Sequence, residues 1–446
     1  MPLRGLESFA EQHRRFLVCA LLVLTAAFGL RWALRASDCA IGWDASDYDD
    51  IAENLLAGNG FVYDGVANLR GEDVAFRLRG HRPPIYPLFL AAVYKLTDHS
   101  VRAVYTVQAL IHCITAYAVY LLALMLFRKQ APAFLSLSLF SIHFPLQIFV
   151  TLVGTEILFA LFLVLHVLFL ARWIKKPEYR AVAMSGLFLG LATLTRPTTF
   201  LLPLFILPLF VTVRSSGLRR SLAAYVVLLV ASTAVISPWM VRQYSTFGKF
   251  VPVTTGGGIT LWEGAGPAAG QTAKSWVEPG VPDQTVEAFL HMFRVSGDAY
   301  SAESEMDSFA RKEALRIVRG DPANYVRLAL VKAPKFWLGV DLESASPFRA
   351  ARRDILGLVM NSVLLVSAVL GAVVLWKRKA VAFLAPACAL LYMGFLHIFP
   401  YCLHRYGLPL YPLVIVFSAA GIVWAIQRVG GGGSDGGIVA TGQDVM

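Results

Sequence analysis

The chain has 446 residues, of which 57% are hydrophobic, with a mean hydropathy of +0.60 and a formal net charge of +11 at pH 7. A soluble domain is about 45–50% apolar, so a soluble fold would leave too much apolar surface in water. The basic residues lie in short connections between apolar runs, which argues against a nucleic-acid partner and for a polytopic membrane protein.

Apolar runs long enough to cross a bilayer, about 17–25 residues, recur along the chain. The first, at residues 16–34, is too long for a signal-peptide core and no cleavage site follows it, so we interpret it as a retained anchor. We predict an all-α fold with about 10–13 transmembrane helices. The remaining runs are at 101–127, 131–150, 156–173, 181–195, 199–213, 221–238, 355–376, 380–399 and 408–427.

Basic clusters occupy every second short connection, which is the pattern of cytoplasmic loops. This predicts a multi-pass protein of the cell inner or plasma membrane with both termini in the cytoplasm. Segments 37–100 and 239–353 then lie on the extracytoplasmic side. The clusters are Arg14–Arg15, Arg128–Lys129, Arg172–Arg180, Arg214–Arg220 and Lys377–Lys379.

The same pattern divides the chain into six parts. Within the first outer loop, "RPPIYPLFLAAVYKL" is apolar but short, which favours a helix in the membrane interface. In the second outer segment, "SAESEMDSFARKEALRIVRG" has apolar residues at helical spacing and predicts a helix of a small cap. The parts are 1–36 (cytoplasmic start and first span), 37–100 (first outer loop), 101–238 (helix bundle), 239–353 (cap), 354–428 (last spans) and 429–446 (flexible tail).

Carboxylates are concentrated at the start of the first outer loop, in "GWDASDYDDIAENLLAGNGF". Asp44, followed by Tyr48, comes where the chain leaves the bilayer, so partial desolvation would favour proton transfer there. We expect the later acids to form a solvated helix face. These are Asp49, Asp50 and Glu53.

Four further groups of ionisable residues fall at predicted outer span ends, where such residues are functional candidates. Arginines there suit a phosphate at headgroup depth. Two open alternatives are that Arg196 and Arg242 only anchor their helices at the interface and that Glu156 only caps the next helix. The groups are His81 and Arg82; Glu156; Arg196 and Arg242; and His404, Arg405 and Tyr406.

Four stretches resemble the GT-C glycosyltransferases related to protein O-mannosyltransferases and lipid A aminoarabinose transferases. With "GTE" and "LTRP", the similarity extends from residue 40 to residue 415. The four together are fairly specific, although each alone is weak. They are "DASDYDDIAENLLAGNGF", "RPPIYPLFLAAVY", "SPWMVRQYSTFGKFVPVTTGGGITLWEGAGP" and "HRYGLPLYP".

The resemblance implies an inverting transfer of a sugar from a polyprenyl-phosphate donor. Asp44 matches the family's first-loop catalytic Asp, and Arg82 matches the basic residue that contacts the lipid phosphate. Arg405 and Tyr406 match the late loop near the donor, and Glu156 matches an acid at the second outer turn. We therefore expect the catalytic residues to be Asp44, Asp47 and Glu156, and the substrate-binding residues to be Tyr48, His81, Arg82, Arg196, Arg242, His404, Arg405 and Tyr406.

One position departs from the family pattern, because Ala45 stands where some members have a second acid. Asp47 is then the alternative second acid. Without an adjacent pair of acids, the sequence does not support a metal ion that bridges such a pair. The chain has no other convincing metal cluster, and its five cysteines show no CxxC spacing. The sequence identifies no certain cofactor: the polyprenyl-phosphate sugar is a donor substrate, and a divalent metal is an open alternative that no residue pattern supports.

The partners expected are a lipid-linked sugar donor, membrane lipids, and a glycolipid, polysaccharide or protein acceptor, with no nucleic acid. The main alternative is a lipid or sugar transporter or flippase. Transporters have inverted repeats and broken helices near the membrane midplane, whereas here no repeat is visible and the charges lie at one face. A scaffold without activity is the third reading.

Overall fold

A computed structural model describes residues 43–69, 72–213, 217–265, 299–340, 355–377 and 381–429. The predicted first span at 16–34 and the predicted tail lie outside these residues, apart from position 429. Within the described residues the fold is α-helical, as predicted, with one small hairpin added.

The first outer loop contains both helices and strands. Its four elements are α1 (Trp43–Leu56), β1 (Tyr63–Leu69), β2 (Glu72–Leu78) and α2 (Ile85–Thr97). The short apolar helix predicted for this loop is α2, and its buried side includes Tyr86, Leu90 and Tyr94. These residues pack on Tyr48 and Ala52 of α1, so the two helices share one small core.

The hairpin was not predicted from the sequence. β1 and β2 pair antiparallel, and Asp64 lies opposite Arg77, with which it forms an ion pair. The ring of Phe76 occupies the space where a side chain at Gly65 would be, because a Cβ there would lie 2.4 Å from that ring. Asp50 of α1 accepts a hydrogen bond from the Asp64 amide at 2.8 Å and so holds the hairpin against the helix.

The described membrane part contains seven further α-helices before the cap, with short 3-10 turns between some of them. Three of them, α3, α6 and α9, are long and apolar enough to cross a bilayer. The run predicted as a span at 131–150 is not one straight helix: α4 and the helical segment after it are bent by 53°, which is the geometry of a broken span or of a re-entrant loop. The helices are α3 (Val101–Phe127), α4 (Gln130–Ser141), α5 (Phe144–Gln147), a 3-10 turn (Ile148–Thr151), α6 (Glu156–Lys175), α7 (Tyr179–Thr195), α8 (Leu202–Thr212) and α9 (Leu218–Phe247).

The described parts of the predicted cap and the last helices complete the described fold. Six helical segments in the described residues are long and apolar enough to span, or seven if the bent pair is one span, and the last three of the six lie here. The elements are α10 (Gly257–Ala265), α11 (Ala299–Gly320), α12 (Pro322–Leu338), α13 (Ile355–Lys377), α14 (Leu384–Ile398) and α15 (Tyr411–Val429). The cap helix predicted at 301–320 is α11.

Small residues allow the helices to cross closely. On α7, a Cβ at Gly186 would lie 2.4 Å from the Leu228 carbonyl of α9. On α13, a Cβ at Gly371 would lie 2.0 Å from the Phe417 carbonyl of α15. Such close backbone contacts at glycine stabilise helix pairs in lipid, where the hydrophobic effect does not drive helices together.

Candidate functional site

Two aspartates of α1 meet two arginines from distant loops. Arg82 donates from Nη2 to Asp44 Oδ1 at 2.5 Å, and from Nη2 and Nε to Asp47 Oδ2 at 2.6 and 2.9 Å. Arg405 of the late loop forms an ion pair with the second oxygen of Asp44. The structure therefore brings together four of the residues selected from the sequence.

Helical spacing explains why α1 presents this face. Asp44, Asp47 and Tyr48 lie three and four positions apart, so they share one side of the helix. Tyr48 is buried, its ring lies 5.2 Å from the Arg82 guanidinium carbon, and burial raises the pKa of its hydroxyl. Tyr48 is therefore a neutral hydrogen-bond donor at physiological pH.

Asp47 has a second partner in His81. The His81 Nε2 lies 3.4 Å from Asp47 Oδ2. Burial alone would raise the pKa of Asp47, but the hydrogen bond from His81 and the charge of Arg82 together lower it below its ordinary value. Asp47 is therefore ionised at neutral pH and is suited to orienting Arg82.

The later acids of α1 do not form a purely solvated face. Asp49 accepts a hydrogen bond from the Tyr94 hydroxyl at 2.5 Å, and Asp50 holds the hairpin. The expectation was therefore wrong for these two residues, because α2 and the hairpin pack over that side of the helix. Glu53 is exposed, as expected.

A second ion pair lies at the N-terminal end of α6. Arg196 donates to Glu156 Oε1 at 2.6 Å and to the Thr155 hydroxyl at 2.7 Å, and the Glu156 side chain is only 3% exposed. Arg196 is thus a largely buried partner of Glu156, with its side chain 11% exposed, rather than an anchor in the interface. The Tyr406 ring lies 5.6 Å from the Arg196 guanidinium carbon and 5.4 Å from that of Arg405, so it connects the two ion-pair groups.

Two predicted residues make other contacts. Arg242 donates to the backbone carbonyls of Arg79 at 2.5 Å and Phe61 at 2.9 Å, so it supports the turn before Arg82. His404 has one ring nitrogen 3.2 Å from the Phe336 carbonyl, at the end of α12. These contacts indicate that Arg242 and His404 position loops.

Glu303 was missed by the sequence analysis. This buried residue of α11 accepts hydrogen bonds from the amides of Arg79 and Gly80 at 2.8 and 3.0 Å and from the Thr255 hydroxyl. Glu303 therefore binds the amide groups of the turn before Arg82, whereas Arg242 binds the Arg79 carbonyl of the same turn. Its partners come from segments far apart in sequence, which no local pattern indicates.

Glu263 of α10 was also missed. Thr260 accepts a hydrogen bond from the Tyr401 amide at 2.9 Å, and the Gly264 carbonyl accepts one from Lys332 at 2.8 Å, so α10 is fastened to the start of the late loop. Burial raises the pKa of Glu263 to about 7, against the opposing influence of Arg82. It forms no ion pair with any residue the structure describes. The sequence offers one signal for its importance, because Glu263 is the one acid in "TTGGGITLWEGAGPAAG".

One group of potential metal ligands lies away from the arginines. Single ligand atoms of Asp49, Glu53 and His99 are within 4.8 Å of one another. However, the two ring nitrogens of His99 face different carboxylates, at 3.7 and 3.1 Å. This arrangement is typical of a hydrogen-bonded surface group, and it does not support a metal role.

The geometry suits an anion and a proton transfer. Guanidinium groups bind phosphate through paired N–H donors, and Arg82 and Arg405 converge from two loops. The Nε–H of Arg405 is buried without a partner among the described residues, so one further donor is free there. A carboxylate, Asp44, lies between the two arginines.

Residues 81–241 match the family described as dolichyl-phosphate-mannose-protein mannosyltransferase. The matched segment contains His81, Arg82, Glu156 and Arg196, and it stops before Arg242. No curated protein matches the sequence.

The fold is similar to that of the archaeal oligosaccharyltransferase AglB from Archaeoglobus fulgidus. The structure in complex with an inhibitory peptide and a dolichol-phosphate has a TM-score of 0.57 and 13% identity, and the match covers 93% of this chain and 50% of that chain. The apo form has a TM-score of 0.53 and 12% identity, with the same coverage. This chain thus spans about half the length of AglB.

ArnT from Cupriavidus metallidurans, bound to undecaprenyl phosphate, matches with 15% identity over 94% of this chain and 79% of that chain, at a TM-score of 0.37. Residues 81–241 are thus similar to a mannosyltransferase family, and the described residues share the fold of the oligosaccharyltransferase AglB. Together with six helices that are long and apolar enough to cross a bilayer, these similarities support a multi-pass membrane protein.

Proposed function

We propose that this protein transfers a sugar from a polyprenyl-phosphate donor to an acceptor at the extracytoplasmic face of the membrane, with inversion. The observation that carries the proposal is the position of Asp44 between Arg82 and Arg405. A proton acceptor beside two phosphate-binding cations is what a single displacement on a glycosyl phosphate requires. AglB, which shares the fold, was solved with a dolichol-phosphate.

In this mechanism a hydroxyl or amine of the acceptor attacks the anomeric carbon. As the new bond forms, the bond from that carbon to the phosphate oxygen breaks, and its electron pair leaves on the lipid phosphate. Arg82 and Arg405 stabilise the charge that develops on the phosphate. Asp44 accepts the proton of the attacking group.

The remaining residues position this machinery. Asp47 and His81 orient Arg82, and Glu156 orients Arg196 beside Tyr406. Glu156 is buried and paired, so we assign it a positioning role rather than direct catalysis. Tyr48 packs under Arg82 as a neutral donor.

The proposed topology also assigns positions to the parts of the substrate. The donor's lipid tail lies among the helices, with its phosphate at the outer helix ends, and the cap segment 239–353 covers the acceptor, which is a glycolipid, a polysaccharide or a protein. Both termini are cytoplasmic. Because the ion pairs lie at helix ends on one face rather than at mid-membrane, this arrangement favours a transferase over a transporter.

Transfer assays with purified protein test the proposal. Polyprenyl-phosphate donors with different radiolabelled sugars are incubated with the wild type, with Asp44→Asn and with Glu53→Gln, which changes an exposed acid of the same helix. We expect release or transfer of one sugar by the wild type and Glu53→Gln, and a loss of at least about 100-fold in Asp44→Asn, the usual scale for a general base. Near-normal activity of Asp44→Asn would show that Asp44 is not the base.

A further inference from the structure

In this structure the arginines that suit a phosphate are already neutralised by carboxylates. Arg82 contacts Asp44 and Asp47, and Arg405 contacts Asp44. Asp44 uses one oxygen for each arginine, so both of its oxygens face a guanidinium group.

This arrangement conflicts with the two roles the proposed reaction needs. A carboxylate held by two guanidinium groups is stabilised in its charged form and is a poor proton acceptor. Arginines covered by a carboxylate are also less available to a phosphate. The roles become compatible only if the Asp44 contacts are broken when the donor binds.

We propose that the donor phosphate exchanges with the Asp44 carboxylate on Arg82 and Arg405, so that Asp44 becomes a free base only when the donor is bound. This inference rests on the proposed function and adds a control step to the same site. A glycosyl phosphodiester carries one negative charge, as Asp44 does, so the exchange conserves the charge beside the arginines.

The contacts of each arginine support the exchange. Arg405 presents Nη2 to Asp44, while its neighbouring Nε–H is buried without a partner among the described residues. A phosphate on this edge would take both donors at once, which a single Asp44 oxygen does not do here. Arg82 keeps its orientation during the exchange, because its Nε–H is bonded to Asp47 rather than to Asp44.

The exchange has a consequence for side reactions. Without the donor, Asp44 is paired and does not activate water or an acceptor. With the donor, the released carboxylate is beside the anomeric carbon. Donor binding therefore assembles the reactive arrangement, as in induced fit.

Binding of undecaprenyl phosphate to the full-length protein in detergent tests the proposal, with tryptophan fluorescence as the readout. If Asp44 competes with phosphate, Asp44→Asn and Asp44→Ala should bind undecaprenyl phosphate at least tenfold more tightly than the wild type, although their transfer activity is lost. Asp50→Asn removes the same charge from the same helix without touching either arginine, and its affinity should stay within twofold of the wild type.

The outcomes separate this proposal from the proposed function. Equal or weaker binding by both Asp44 variants would overturn the exchange, while a wild type that binds undecaprenyl phosphate but not undecaprenol would still support the phosphate site. A similar gain in Asp50→Asn would overturn the exchange as well, since general electrostatics would then explain it. If the wild type binds undecaprenol or inorganic phosphate as tightly as undecaprenyl phosphate, both proposals fail.

Discussion

At the scale of single residues, Glu263 differs from the other acids of the site. Asp44, Asp47 and Glu156 each contact an arginine, whereas Glu263 forms no ion pair with the described residues. Burial raises its pKa from the ordinary 4.5 to about 7. Near neutral pH it therefore exists in both protonation states beside the charged groups of the site.

The sign of its effect on stability follows from that shift. Below pH 4.5 Glu263 is neutral in both the folded and the unfolded chain, so its ionisation does not reduce the free energy of unfolding. As pH rises, the unfolded chain ionises first, and stability is lost until the pH passes the folded value near 7. Glu263→Gln stays neutral, so it should be more stable than the wild type at pH 8 by an amount on the order of 2 kcal/mol, and similar to it at pH 4.5.

Thermal unfolding in detergent at the two pH values measures this difference. Glu53→Gln, an exposed acid of α1, should shift neither midpoint. A midpoint change of Glu263→Gln that is the same at both pH values would indicate a packing effect and would contradict the raised pKa.

At the scale of elements, the turn before Arg82 is held from two sides. Glu303 of α11 binds the amides of Arg79 and Gly80, and Arg242 of α9 binds the carbonyl of Arg79. The cap and a long membrane helix therefore meet at one short turn. This contact couples the position of α11 to the position of Arg82, for which we propose phosphate binding.

Glu303→Gln should loosen this turn. The glutamine side chain lacks the negative charge of glutamate, and its NH₂ group cannot accept a hydrogen bond from the backbone N–H groups of Arg79 and Gly80. Hydrogen bonds to a charged group contribute about 1.5–3 kcal/mol each. We expect the KM for the lipid donor to rise roughly tenfold with a smaller change in kcat, since the loss is in donor positioning.

Steady-state kinetics with varied donor concentration provide the measurement. Glu305→Gln, an exposed acid two positions along α11, is the matched control and should leave both constants unchanged. An equal fall of kcat with no change in KM would contradict a role in positioning Arg82, and a loss of folded protein would be visible as a lower unfolding temperature.

The sequence predicted much of this site because its signals are local. Asp44 and Arg82 stand in short motifs, and long apolar runs predict spans by composition alone. Glu303 and Glu263 were missed because their importance comes from contacts across the fold. The contacts of Arg242 with backbone carbonyls were not predicted for the same reason, since a guanidinium group can donate to a phosphate or to a carbonyl from a distant segment.

At the scale of the whole molecule, the two ends of the helix bundle differ in charge. One end gathers the paired site residues from four connections. At the other end, the Lys175 ammonium group donates to the Met125 carbonyl at 2.5 Å, and Lys176 pairs with Glu178 at 2.6 Å. The site residues thus lie at one end of the bundle, and basic residues with only one nearby acid among the described residues, Glu178, lie at the other end.

The positive-inside rule predicts that the basic end is cytoplasmic. In a variant whose five native cysteines are replaced by serine, Glu53→Cys should react with a membrane-impermeant maleimide added to intact cells. Lys176→Cys should react only after the membrane is permeabilised, because it lies at the opposite end of α6 from Glu156. Both side chains are exposed, at 58% and 74%, so burial does not limit the reaction. The reverse labelling pattern would place Asp44 in the cytoplasm, and the acceptor would then have to be a cytoplasmic molecule.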